Sequence, residues 1–501
     1  MKFIRMIFRR EGVYAALALL EVLALTAVLF AAYTVRFAAV PLIVLTVCCV
    51  LRIISDEISP AYKLGLCVPM LLFPLHGGVF WLLFVRGIAR RRLEKRIKKA
   101  FVQAPAVSAH TSGTLSDFLA NKGMPLCSAE NCRYYPFGDS MFREMLDAVR
   151  AARERIYIEF FIVSEGTALT ELTDALAERA AAGVDVRVLI DGVGSAFVKP
   201  PHLTEELRAK GIGIREFNRL SPFRLSAAGI RDHRKILAVD GKVAFCGGIN
   251  IADEYMNRVE RFGVWKDGGF SVCGGAAGSF ERMFLRMWAL SGNERQPYDI
   301  ISTSGGTVQP FADIPLDGCR VSLSVYLQII SRAERYVYIT TPYLVCDDEL
   351  IGALCKAAQS GTDVRLILPG IPDKKYVNAL TKSYYGVLIR SGVHICEYTP
   401  GFVHCKNIVS DDRIAAVGTV NLDYRSMSGQ FECGCVFRDP AFAADVRRDI
   451  IATLSDCTEV SDCKKTSVCC PRTVLLSEMR SVNSRFVKIA RIFLKLFAPL
   501  M

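Results

Sequence analysis

"DHRKILAVDGKVAFCGGIN", residues 232–250, is the stretch whose reading decides the fold. It contains His233-x-Lys235, then Asp240, then Gly247-Gly248-x-Asn250, with a strand-like apolar run at residues 236–239 between the lysine and the aspartate. Side chains alternate across a strand, so His233 and Lys235, two apart, face the same way. With six histidines in 501 residues, one such match arises by chance in roughly one chain in a hundred of this composition. A second match removes chance: "HCKNIVSDDRIAAVGTVN", residues 404–421, supplies His404, Lys406, Asp411 and, after Gly418-Thr419, Asn421.

What precedes each match is also repeated. "RIYIEFFIV" (155–163) reads as a buried strand, "ALTELTDALAERAAAG" (168–183) as an amphipathic helix and "VDVRVLIDGVGS" (184–195) as a second strand ending in a glycine turn. About 180 residues later "RYVYITTPYLV" (335–345), "DDELIGALCKAAQSG" (347–361) and "TDVRLILPG" (362–370) follow the same plan. A strand, a crossover helix and a strand imply a right-handed connection and a parallel pair. The expected architecture is therefore α/β, with two pseudo-symmetric lobes, each a mixed, mostly parallel sheet flanked by helices.

Two such repeats facing each other bring two histidines, two lysines and two asparagines to one cleft. A lone histidine is as well explained by a satisfied buried imidazole. Paired His-Lys sets are not, because two buried lysines are costly without an anion to meet. A phosphate with two titratable groups beside it suits the pattern. Asp240 and Asp411 stand at strand-end turns, "VDGK" and "SDDR", where a carboxylate also serves to cap the turn.

Composition points to lipid. Hydrophobic residues make up 51% of the chain, and the excess sits in the first 85 residues. Residues 13–35, interrupted only by Glu21, and residues 64–85 have the length of a transmembrane helix, while 37–51 is shorter and reads as shallow or as a third, re-entrant segment. Basic residues flank both ends of this region, which places both ends inside and favours two crossings. The net charge of +12 suits either nucleic acid or an anionic bilayer, and the apolar segments choose the bilayer. The eighteen cysteines are scattered without a recurring C-x-x-C pair, which argues against a disulfide framework or zinc site and for a reducing compartment. Cys457, Cys463, Cys469 and Cys470 form a loose cluster in the tail, open to a metal or lipidation role. The tail ends in "SRFVKIARIFLKLFAPLM" (484–501), whose basic and apolar residues alternate at helical spacing. That pattern suits a helix in a membrane interface or one packed on the catalytic region.

The twin H-x-K-x-x-x-x-D motifs resemble those of the phospholipase D superfamily, and the surrounding text, "GVDVRVLIDGVGS", "TPYL", "PDKKYV" and "VGTVNLDYRS", resembles its bacterial cardiolipin synthase family from about residue 130 to 440. The resemblance implies a catalytic set of His233, Lys235, Asp240, His404, Lys406 and Asp411. One histidine attacks the phosphorus of a phosphatidyl group to give a phosphohistidine, and the other protonates the leaving alcohol and activates the incoming one. The lysines, with Asn250 and Asn421, hold the phosphoryl oxygens. Asp267 in "VWKDGGF" and Glu432 in "GQFECG" stand where the family places an acid to orient each imidazole. No metal or other cofactor is implied.

The implied activity is a membrane-embedded phosphatidyltransferase that joins two phosphatidylglycerol molecules and releases glycerol. It would work in the bacterial cell membrane with a cytoplasmic catalytic region, with anionic lipids and not nucleic acid as partners. Expected divisions are a membrane anchor with a basic stretch (1–100), a linker (101–136), two lobes (137–305 and 306–456) and a basic amphipathic tail (457–501). A lipid hydrolase, a transferase with another alcohol acceptor and a non-catalytic scaffold remain as alternatives.

Overall fold

The computed structural model describes residues 36–56, 58–101, 114–221, 226–292, 294, 306–315, 318–462 and 470–476, with isolated positions at 23, 26, 27, 494–496 and 498. Two large sheets dominate it. One has seven strands in the order Arg133–Tyr135, Gly269–Cys273, Val243–Gly247, Ile236–Val239, Arg155–Phe160, Asp185–Asp191, Gly213–Phe217. The ten-stranded sheet contains Gln430–Phe437, Ile414–Gly418, Asn407–Ser410, Tyr336–Thr340, Asp363–Pro369 and His394–Tyr398 in the corresponding order. The sequence repeat is thus a repeat of strand order.

The sheets are mixed rather than mostly parallel. Arg155–Phe160, Asp185–Asp191 and Gly213–Phe217 run parallel through crossover helices. The strand after each motif histidine instead turns straight back on itself: Ile236–Val239 pairs antiparallel with Val243–Gly247 and with Arg155–Phe160. Only a reversal is possible here, because the connection is a two- or three-residue turn at Asp240 and Gly241, too short for a crossover. The second lobe repeats this at Asn407–Ser410 and Ile414–Gly418.

The inner faces of the two sheets share one core. Ile236, Ala244 and Phe270 from the first meet Val409, Val417 and Phe437 from the second, with the Phe270 and Phe437 rings edge to face at 5.1 Å. Helices Gly138–Ala151 and Thr167–Ala181 cover the outer side of the first sheet, and Val321–Ser331 and Asp348–Gln359 that of the second. Within residues 101–136, Leu115–Asn121 is a helix opened by a Thr114–Asp117 capping box, and it buries Leu115 and Leu119 in the second lobe's core.

The N-terminal region corrects the expected transmembrane helices. Among the described residues no helix is long and apolar enough to cross a membrane. Residues 64–85 are broken into Pro60–Leu72, Pro74–Phe80 and a π-helical turn Trp81–Val85. The physical reason is local: Pro74 brings no N–H, and Phe73 before it leaves helical geometry at φ −124°, ψ 65°. Residues 37–51 lie within the helix Arg36–Ser55. Gly78 donates its N–H to Thr46 Oγ1 at 2.8 Å, which ties that helix to the Pro74–Phe80 piece. Most of residues 13–35, including Glu21, lies outside the described residues, as do Cys463, Cys469 and the tail between 477 and 493. The basic stretch that follows is the helix Ile88–Ala100, which buries Leu93 and Ile97 against Phe217, Trp288 and Phe431.

Candidate active site

Each motif histidine is reached through a short strand that its own lobe adds to a strand of the other. Arg231–Asp232 pairs in parallel with Gln430–Phe431, and the His233 N–H continues the ladder to the Phe431 carbonyl at 3.0 Å. In the mirror arrangement Gly401–Val403 pairs with Val264–Lys266, and the His404 N–H donates to the Lys266 carbonyl at 2.7 Å. The residue after each of these carbonyls is an acid. Glu432 follows Phe431 and Asp267 follows Lys266, so each histidine is delivered beside the other lobe's carboxyl. His233 Nδ1 lies 2.8 Å from Glu432 Oε1, and His404 Nδ1 lies 2.5 Å from Asp267 Oδ2.

Each lysine stands two residues further on, in the three-residue link between that short strand and the next. Lys235 Nζ donates to the His233 carbonyl at 2.5 Å; Lys406 Nζ contacts the His404 carbonyl and lies 2.9 Å from His404 Nδ1. Both lysines are buried, and both act electrostatically on both acids. The cleft is therefore one electrostatic unit. Burial holds both imidazoles well below their usual range, and the nearby lysines push in the same direction. Burial raises Asp267 to about 7 and Glu432 to about 8, and lowers Lys406 to about 7. An imidazole kept neutral, with Nδ1 held by a carboxyl, presents Nε2 to the cleft as nucleophile or base.

The two halves differ in their surroundings. Glu432 accepts from Ser426 Oγ at 2.7 Å and from the Thr419 hydroxyl, whereas Asp267 accepts the Gly268 N–H at 2.8 Å. Position 248, the counterpart of Thr419, has no room for a side chain, since a Cβ there would come within 2.1 Å of Asp267 Oδ1. His404 sits among Tyr255, Trp265 and Phe402, with ring centroids 5.4, 5.7 and 5.7 Å away; His233 meets the edge of Phe161 at 5.0 Å. Asn250 is engaged, accepting from the Ile162 N–H at 2.9 Å and donating to Tyr255 Oη at 2.8 Å. Asn421 is buried, with no hydrogen-bond partner at Oδ1.

Eight of the residues singled out in the sequence come together here: His233, Lys235, Asn250, Asp267, His404, Lys406, Asn421 and Glu432. Asp240 and Asp411 do not. The Asp240 carboxylate accepts the N–H groups of Arg153, Glu154 and Arg155 at 2.9, 2.8 and 2.9 Å, and Asp411 accepts those of Glu334, Arg335 and Tyr336 at 2.8, 2.9 and 2.9 Å. Both occupy left-handed backbone, φ 53° and 56°, and they lock the motif hairpin to the start of the neighbouring strand. Their place beside strand-end turns was the signal for this structural role.

Thr419, noted in the second motif but given no role, joins the site together with Ser426 and Tyr255. Thr419 carried a signal, as the one position where the two motifs differ within the glycine pair. Ser426 and Tyr255 carried none, because each acts through a neighbour found only in the fold.

Comparison with known proteins agrees with this geometry. The family model described as cardiolipin synthase, PLD-like domain, matches residues 145–288 and 326–453. The chain is 33% identical to a cardiolipin synthase of Geobacillus thermodenitrificans, over 75% of this chain and 79% of that one. It is 30% identical to cardiolipin synthase 1 of Bacillus cereus, over 86% and 90%, and 35% identical to an uncharacterized protein of Streptococcus mutans, over 90% and 99%. Among solved structures, phosphatidylserine synthase of Haemophilus influenzae shares the fold, with a TM-score of 0.58, 16% identity and coverage of 77% of this chain and 97% of that one. Twin motifs, one shared cleft and relatives matched along most of their length lead to one conclusion: the chain belongs to the phospholipase D-like cardiolipin synthase family.

Proposed function

We propose that this phosphatidyltransferase makes cardiolipin from two molecules of phosphatidylglycerol. One imidazole attacks the phosphorus of the first lipid through Nε2, while the other, in the tautomer with its proton on Nε2, gives that proton to the departing glycerol and takes a replacement at Nδ1 from the protonated acid beside it. The second then takes a proton from the hydroxyl of the incoming lipid, which displaces the histidine and restores both rings. Lys235 and Lys406 face the phosphoryl oxygens, where fixed positive charge in a buried site favours the more highly charged transition state. Asn250 and Asn421 complete the phosphate cradle. The observation that carries this reading is the crossed pair: two imidazoles in one cleft, each held at Nδ1 by a buried carboxyl of the opposite lobe.

Both substrates are lipids, so we place the enzyme at the bacterial cell membrane with its cleft turned to the cytoplasmic leaflet. The net charge of +12 supports contact with anionic lipid.

Mass spectrometry of the products formed in phosphatidylglycerol vesicles tests the reading. The parent should yield cardiolipin and glycerol, and His233→Ala and His404→Ala should yield neither. Phosphatidic acid without cardiolipin from the parent would make the chain a hydrolase instead.

A further inference from the structure

A second polar cluster lies beside the His404 half of the site, where the two lobes meet. Asp449, on the second lobe's helix Pro440–Leu454, reaches two donors on the first lobe's side. Lys266 Nζ contacts Asp449 Oδ1, and Tyr134, on the edge strand Arg133–Tyr135 of the seven-stranded sheet, donates from Oη to Asp449 Oδ2 at 2.7 Å. Asn407 adds a bond from Nδ2 to Tyr134 Oη at 2.9 Å. Lys266 also donates to the Pro136 carbonyl at 3.1 Å and lies over the Phe137 ring at 4.1 Å. Lys266, Tyr134 and Asn407 are buried. Burial and the Asp449 charge hold the Tyr134 phenol well above its usual range, which keeps its proton on oxygen. The mechanism uses none of these four side chains.

Each end of the cluster is one residue from the catalytic set. Lys266 precedes Asp267, and its carbonyl accepts the N–H groups of His404 and Cys405 at 2.7 and 3.3 Å and the Cys405 thiol at 3.2 Å. Asn407 follows Lys406. Consecutive Cα atoms are about 3.8 Å apart, so a shift of the cluster passes along the backbone to Asp267, His404 and Lys406. The equivalent positions of the other half are apolar. Phe431 precedes Glu432, with the Phe101 and Phe217 rings each 5.6 Å away, and Ile236 follows Lys235 into the core. The close ion pair on that side, Arg234 Nε to Glu159 Oε1 at 2.9 Å, stays within the first lobe.

We infer that Asp449 is a positioning residue: through Lys266 and Tyr134 it clamps the His404–Asp267 pair across the lobe junction, an inference that rests on both imidazoles doing the chemistry. A buried lysine is costly unless a carboxylate meets it, and this one meets its carboxylate only when the helix Pro440–Leu454 is docked on the first lobe. Closure of the lobes and alignment of Asp267 with His404 are thereby one event. Asp449 touches no lipid in this role, so its loss acts on the rate of the chemical step and not on the binding of substrate.

Two measurements on the full chain test the clamp: steady-state cardiolipin formation in phosphatidylglycerol vesicles, and nitrogen NMR spectra of its six labelled histidines, with His233→Ala and His404→Ala assigning the two signals. Asp449→Asn should lower kcat by about a hundred-fold, the scale of a catalytic group misplaced by about 1 Å. It should leave KM within about two-fold and move the His404 ring signals but not those of His233. Tyr134→Phe, which keeps the ring and removes one hydroxyl, should cost about ten-fold in kcat and move the same signals. The two losses should not multiply in the double variant, because both act through one carboxylate. Asp445→Asn, exposed one turn earlier on the same helix and paired with Arg448, should behave as the parent. Turnover within about three-fold of the parent in both Asp449→Asn and Tyr134→Phe, losses that multiply, or equal movement of both histidines' signals would overturn the clamp. Should Asp449→Asn fail to fold, Tyr134→Phe carries both measurements by itself. A parent that forms no phosphatidyl product would overturn the reading of the site instead, while the His404 signals would still test the clamp.

Discussion

Replacing Glu432 with glutamine keeps the shape and removes a carboxyl that, holding its proton up to about pH 8 in the resting site, can ionise when the ring beside it becomes positive. Glu432 is fully buried, so an isosteric amide opens no cavity, and Ser426 and Thr419 remain to bond it. What changes is the contact with His233 Nδ1 at 2.8 Å. Once the His233 ring bonds to phosphorus or takes a proton it carries positive charge, and the carboxylate is the group that answers it. Two unit charges about 4 Å apart interact by about 4 kcal/mol at the effective dielectric of about 20 that fits protein sites. Losing that term slows the step by about a thousand-fold. The amide can also donate to Nδ1, which moves the ring proton to Nε2 and spoils the ring as nucleophile or base, so the loss should reach at least this size.

The assay is rapid quench of the phosphatidylated enzyme together with steady-state cardiolipin formation. Glu432→Gln should suppress the burst of covalent enzyme, with thermal unfolding at neutral pH showing an intact fold. Ser426→Ala, which removes one bond to the acid, should cost about ten-fold. A Glu432→Gln enzyme within ten-fold of the parent would refute the role given to the crossed pair.

Three further outcomes follow from the geometry. Gly248→Ala puts a Cβ within 2.1 Å of Asp267 Oδ1 and 2.9 Å of the His404 carbonyl; it should displace the acid and cut cardiolipin formation by at least a hundred-fold on the scale of a misplaced catalytic group, while Thr419→Gly, which opens space, should be milder. Asp411→Ala loses three backbone partners and leaves a non-glycine residue at φ 56°, so denaturant titration should show a loss of about 3 kcal/mol, with the turnover of the folded fraction within about three-fold of the parent. Glu432, raised to about 8 by burial, keeps in the fold a proton that it releases in the unfolded chain. Its contribution is full below the ordinary carboxyl range and is lost as pH rises through about 8, so Glu432→Gln should gain stability on the parent by about 1.4 kcal/mol per pH unit from 5 to 8 and then level off; a gap that is flat with pH would count against the shift.

Much of the site was legible in the residues because its chemistry is local. His and Lys two apart in extended chain share a face, although in the fold they stand in a three-residue link between two short strands, and a second copy in a second repeat makes the pair unmistakable. The strand order of each lobe follows from the same repeat. Two readings went astray for local reasons too. The reversal after each histidine leaves the mixed sheets less parallel than expected, and Pro74 with Phe73 breaks a run whose average hydropathy suggests a span. Composition averages over a window, whereas a backbone is interrupted at one residue.

The residues by themselves pointed to paired His-Lys sets suited to a phosphate and to the two-lobed α/β plan, and the family resemblance added the two acids. Only the tertiary structure decided which acid serves which histidine. Glu432 is 199 positions from His233 and Asp267 is 137 from His404, and no periodicity spans such a separation. The pairing is settled where Arg231–Asp232 and Gly401–Val403 each add to a strand of the opposite lobe. The same packing shows that Asp240 and Asp411 face away from the cleft. It also shows that the two halves of the pseudo-symmetric site are unlike, with hydroxyls around Glu432 and aromatic rings around His404. The two histidine–acid contacts arise between segments distant in the chain, so they exist only once both lobes have closed on one another.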